Sequence, residues 1–98
     1  MAPATDTVTD LRSRIDRVDA ELAGLLEERA LLAAEIQRHK PVGGFVGRDP
    51  GRERALVAAM AHRAPRLGAP RLARIMSAVI EAGLEAAEEE ARAPLADR

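Results

Sequence analysis

Between Thr9 and Lys40 the apolar residues Leu11, Ile15, Val18, Leu22, Leu25, Leu26, Leu32, Ala33 and Ile36 recur at three- and four-residue steps, with polar residues filling the intervals. The span has no proline and one glycine, Gly24, so the pattern predicts a single amphipathic helix. Such a helix is about 32 residues and roughly 48 Å long. That exceeds what one 98-residue globule can cover, so a partner chain is expected to cover the rest.

Pro41-Val-Gly-Gly-Phe-Val-Gly47 breaks the pattern and predicts a loop. A second helix is expected next, with Asp49 as its cap, Pro50 in the first turn and Leu56, Val57 and Met60 on its apolar face, ending near Ala64. Pro65 to Pro70 form the next connection. Pro70 opens a third helix with the stripe Leu72, Ile75, Met76, Val79, Ile80, Gly83, Leu84 and Ala87. The expected architecture is all-α, three helices per chain, in one domain over 9–90, with a flexible N-terminus (1–8) and a flexible tail (91–98) containing Pro94.

Composition narrows the function. With no cysteine, disulfides and thiolate metal sites are excluded. Phe45 is the only aromatic residue, which argues against base-stacking platforms for single-stranded nucleic acid. The net charge of −1 is made of interspersed cations and anions, so neither nucleic acid nor an anionic membrane is an expected partner. No stretch approaches the roughly 20 apolar residues of a membrane span. The first residues show neither a basic start nor an apolar run, so a cytoplasmic location is expected. His39 and His62 lack metal-ligand spacing and read as surface residues.

The informative anomaly is in the first helix. At 100° per residue, with Leu22 as zero, Leu25, Leu26, Ala33 and Ile36 lie within about 60° of one another's mean direction, and Arg29 (near −20°) and Lys40 (near 0°) fall inside that stripe. A cation in an apolar stripe needs an anionic partner. Two readings stand side by side. Each cation pairs with a carboxylate of the protein, or snorkels to water in the case of Lys40; or they line a site for an anionic ligand, with Arg12, Arg48 and Arg52 as further candidates. Arg12 lies roughly 25 Å along the helix from Arg29, so one chain cannot aim both at one small ligand. An antiparallel partner helix would bring its own Arg12 near Arg29.

These residues carry a resemblance. Leu11-Arg12-x-x-Ile15-Asp16-x-x-Asp19-x-x-Leu22-x-x-Leu25-Leu26-x-x-Arg29, then Ile36-x-x-x-Lys40, then Arg48-Asp49-Pro50-x-Arg52-Glu53, resembles the all-helical class of chorismate mutases from about Leu11 to Glu85. The resemblance implies an intertwined homodimer with two shared sites and no cofactor, acting on a small dicarboxylate in aromatic amino-acid biosynthesis. It further implies that Arg29 and Arg12 of the partner subunit bind substrate carboxylates. Lys40 would contact a carboxylate and the ether oxygen, and Arg52 would add positive charge. The Asp49 backbone amide and the Glu53 side chain would hold the ring hydroxyl. Asp49 also reads as a plain helix cap, and Glu53 as a first-turn carboxylate favoured by the helix dipole.

The chain departs from the family where the third helix meets the site. At Gly83 the family often has serine, though glycine also occurs. At Ala87 it usually has glutamine, sometimes glutamate, as a second donor to the ether oxygen. Ala87 cannot donate, and a lost principal donor typically costs about 10²–10³-fold in rate. Glu88 is adjacent but about 100° round the helix. Two alternatives therefore stand beside chorismate mutase. One is a relative acting on amino-deoxychorismate or isochorismate, as a mutase or an isochorismate-pyruvate lyase. The other is a weakly active helical subunit that works with a partner enzyme of the shikimate pathway.

Overall fold

The computed structural model describes residues 4–39 and 47–92. Among them are three helices and no strand: α1, Ala4–Arg38; α2, Pro50–Arg63; and α3, Gly68–Arg92. The expected all-helical, three-helix chain is what is found. α1 begins five residues ahead of Thr9, with Asp6 in its first turn where the helix dipole favours a carboxylate. It closes with the His39 amide donating to the carbonyls of Glu35 and Ile36, at 3.2 and 3.1 Å. Lys40, Phe45 and the expected loop as far as residue 46 lie outside the described residues.

α2 starts as its sequence predicts. Asp49 is extended (φ −124°, ψ 94°), its side chain accepts from the Arg52 amide, and Pro50 needs no acceptor in the first turn. The helix ends at Arg63, where the Ala64 amide donates back to Met60. The Gly68 amide then donates to the Ala64 carbonyl at 3.0 Å. Gly68 has φ +76°, a conformation costly for any residue with a Cβ, and α3 begins there, two residues before Pro70.

α3 is the shared element, packing against both α1 and α2. Its buried positions are Leu72, Met76, Gly83 and Ala87, and the only buried residue described on α1 is Ala34. α2 has none. Val79, Ile80 and Leu84 of the expected α3 stripe are half-buried, while Ile75 is exposed.

Within the single chain α1 is covered only in part, as its length led one to expect. The leucine stripe of α1 is not buried: every residue from Asp6 to Glu28 is exposed, Leu25 to 62% and Val18 to 62%. The face of α1 that meets its own fold carries Ala30, Ala33, Ala34 and Gln37 instead. Taking Leu22 as zero, Ala30 and Ala34 lie near +80° and +120°, about a quarter turn from the stripe. Alanines let two helix axes approach closely, whereas none of the described residues covers the leucines. The exposed residues Val8, Leu11, Ile15, Val18, Leu22 and Leu25 step by three and four alternately, the seam of a helix that packs along another helix.

The shape follows from that free arm. The radius of gyration is 18.2 Å with extents of 64 × 36 × 15 Å, against about 13 Å for a compact chain of this length. Accessible surface is 8128 Å² for 10.5 kDa, where a compact monomer would expose about 5,400 Å². Among the described residues no helix is long and apolar enough to cross a membrane.

Candidate active site

Where the C-terminal half of α1 meets the start of α2 and the middle of α3, a cleft of about 180 Å³ opens. α1 contributes Arg29, Ile36 and Gln37; the start of α2 and the residues before it contribute Gly47, Arg48, Asp49, Arg52, Glu53 and Leu56; α3 contributes Ile80. The α2 cap decides where these charges point. Asp49 Oδ1 accepts from the Arg52 amide at 3.1 Å and the Asp49 carbonyl accepts from the Glu53 amide at 3.0 Å. The first turn is thereby fixed, with Arg52 and Glu53 both on the cleft wall.

Arg48 is already committed. Its Nε donates to Glu53 Oε2 at 2.9 Å and its Nη2 to Oε1 at 2.5 Å, a two-pronged pair, while Nη1 reaches Glu81 Oε2 on α3 at 3.3 Å. The hydrogen bonds from Arg48 hold the Glu53 carboxyl below its usual range, with smaller help from the Arg48 charge, the Asp49 backbone and the Arg29 charge and some opposition from desolvation. The Arg48 guanidinium is correspondingly pushed up, first by its hydrogen bond to Glu53. Read from the sequence as a further candidate for an anion, Arg48 instead has two carboxylates of its own chain.

Arg29 is half-buried and Arg52 exposed. Among the described residues neither side chain has a hydrogen bond or an ion pair, so both guanidinium groups remain open at the cleft. A larger groove of about 530 Å³ lies between α2 and α3, but Val57, Ala58, Pro70, Met76 and Ile80 give it a mainly apolar wall, with Arg54 its one cation. That wall suits no dicarboxylate.

The family model for chorismate mutase type II matches residues 11–88. The chain belongs to that family. No curated protein and no solved structure matches it significantly.

Within this chorismate mutase type II chain, Arg29, Asp49, Arg52 and Glu53 come together on one cleft. Arg12 does not: it sits exposed on the free arm of α1, about 25 Å along the helix from Arg29. Gly83 and Ala87 are buried on α3 and are not part of the cleft wall. Ala87 lies two turns beyond Ile80 and within about 20° of its direction, so it continues the same face of α3. A Cβ built on Gly83 meets nothing within 4 Å, so that position has room for the serine of other family members. Lys40 is outside the described residues.

Sequence reasoning missed Gln37, Leu56 and Ile80 as wall residues, and Glu81 as the second anchor of Arg48. Gln37 had a signal, being a polar residue at the edge of the apolar stripe, about 60° round α1 from Leu22. Glu81 had none, since 33 residues separate it from Arg48.

Proposed function

We propose that this chain converts chorismate to prephenate as a homodimer, each site completed by Arg12 of the partner subunit. The observation that carries this is the charge arrangement of the cleft. Its carboxylates are occupied, Glu53 by Arg48 and Asp49 by the helix start, while among the described residues Arg29 and Arg52 form no ion pair, Arg29 adding only its charge to the field at Glu53. Open cations beside satisfied carboxylates suit a dianionic ligand.

The reaction fits these residue types. Within one molecule a carbon–carbon bond forms as the ether carbon–oxygen bond breaks, with no nucleophile and no proton transfer. Catalysis then consists of holding the reactive conformer and setting positive charge where the ether oxygen gains negative charge. Arg29 and the partner subunit's Arg12 bind the carboxylates in the bidentate manner of guanidinium. Lys40 gives a compact charge to a carboxylate and the ether oxygen, and Arg52 adds to the field. The Asp49 amide and Glu53 carboxylate hold the ring hydroxyl, and Gly83 and Ala87 on α3 complete the site beyond the described cleft, whose α3 wall is Ile80.

The dimer reading draws support from the unpaired α1 seam and from a surface excess of about 2,700 Å² over a compact monomer, the size of an obligate homodimer interface. Ala87 sustains a second reading, a relative for isochorismate or amino-deoxychorismate, because a methyl group leaves room and gives no donor. Incubating the pure protein with each of the three substrates and separating the products by chromatography tests both. Prephenate from chorismate is the expected result; consumption of only another substrate would reject the proposal.

A further inference from the structure

We infer that Arg48 is a positioning residue, whose guanidinium holds the Glu53 carboxylate away from Arg29 and Arg52 so that both cations stay open to the substrate's carboxylates. The inference rests on the chorismate reading above and assigns a role that reading leaves vacant.

Cations and carboxylates compete inside one small cleft. Glu53 lines the same cleft as Arg29 and Arg52, near enough to Arg29 for that charge to act on its carboxyl, and a flexible glutamate beside two open guanidinium groups would pair with one of them. Arg48 prevents this by taking both Glu53 oxygens from one side, at 2.9 and 2.5 Å. Each carboxylate oxygen keeps a second lone pair, so Glu53 can still accept from a ligand hydroxyl. The clamp itself is braced. Arg48 precedes the α2 cap, and its third nitrogen reaches Glu81 on α3 at 3.3 Å, tying the entry to α2 across the fold. Arg48 and Glu53 are the more shielded members, at 34% and 21% side-chain exposure, against 56% for Glu81. Glu53 is therefore the principal partner, and Glu81 steadies the arginine.

The test is a double-mutant cycle on the full-length dimer: the parent, Arg48→Ala, Glu53→Gln, and Arg48→Ala with Glu53→Gln, with Arg48→Lys as the conservative variant. Arg48→Ala should raise KM for chorismate about tenfold, the order of one charged hydrogen bond to be displaced, with a smaller change in kcat. In the Glu53→Gln background the same substitution should leave KM within about twofold, since glutamine cannot compete as an anion. Arg48→Lys should recover part of the loss, as a single point of charge. An equal rise in both backgrounds would mean that Arg48 touches substrate or merely supports the fold, and would overturn the inference. So would Arg48→Ala behaving like the parent. A readout independent of turnover follows the Nε–H resonances of Arg29 and Arg52 through an acid titration. In Arg48→Ala they should move as Glu53 protonates, and in the double variant they should not. If the parent fails to convert chorismate, the functional reading falls, and these resonances still decide the role of Arg48: identical titrations in parent and Arg48→Ala would reject it.

Discussion

Truncating Leu25 to alanine separates a dimeric chain from a monomeric one by the sign of the effect. In the single chain Leu25 is 62% exposed and makes part of the free arm of α1. If it stayed exposed in solution, Leu25→Ala would be neutral or would stabilise the helix by a few tenths of a kcal/mol, alanine being the best helix former. If the seam is buried against a second copy, the substitution removes three buried carbons, worth about 2.4 kcal/mol at 0.8 per carbon. Two-fold symmetry enters that loss twice, so the dimer loses about 5 kcal/mol, and its dissociation constant rises by more than 10³-fold. Leu31 is the control. It is 56% exposed but lies about 180° round α1 from Leu22, so Leu31→Ala should change dimer affinity by no more than about 0.5 kcal/mol. Sedimentation equilibrium from nanomolar to high micromolar protein gives the constants, and thermal unfolding over the same range should be concentration-dependent. A parent that is monomeric at micromolar concentration, or a Leu25→Ala variant as tightly associated as the parent, would refute the reasoning.

Lys40→Ala should abolish turnover with the dimer intact, and Arg29→Ala should raise KM as well as lower kcat; steady-state rates unchanged in both would refute the site. Ala87→Gln should raise chorismate turnover by tens-fold if the amide finds the ether oxygen. Ala87 is only 6% exposed, however, so the larger side chain should also cost about 1–3 kcal/mol of stability, and an unchanged or lower rate would reject Ala87 as limiting. Because the Glu53 carboxyl is lowered by Arg48, its contribution to stability is present above the unfolded carboxylate value of about 4.3 and is lost as pH falls through the lower folded value. Glu53→Gln should therefore melt below the parent at pH 7, with a gap that narrows as the pH is taken down into the acid range; a gap independent of pH would contradict this.

The elements were legible in the sequence because their signals are local. Asp49 and Pro50 mark the start of α2 by chemistry that acts over three residues, and the α3 stripe from Leu72 to Ala87 reports a face that one chain can bury. The α1 stripe is equally periodic but is left uncovered among the described residues, because periodicity marks an apolar face without saying what covers it. The same limit applies to the site. Arg29, Asp49, Arg52 and Glu53 were found through spacing along helices, whereas the bond from Arg48 to Glu81 depends on how α3 crosses the entry to α2. Periodicity carries no information on that crossing.

The geometry of α1 also bears on how two chains would meet. Arg12 and Ala30 share one meridian of the helix, near +80° from Leu22 and about five turns apart. At Ala30 that meridian is covered by the chain's own fold, while at Arg12 it is exposed. An antiparallel second copy would have to supply what covers it there. The seam supplies an independent measure of the register. Its members run from Val8 through Leu25, Arg29 and Leu32 to Ile36, so a two-fold axis through its midpoint would fall at Leu22. Setting Arg12 opposite Arg29 of the partner subunit puts the axis between Ala20 and Glu21. The two axes differ by less than half a helical turn, so an antiparallel register that covers the leucines would also carry Arg12 close to the neighbour's cleft, and an arm too long for its own domain would complete the neighbour's site.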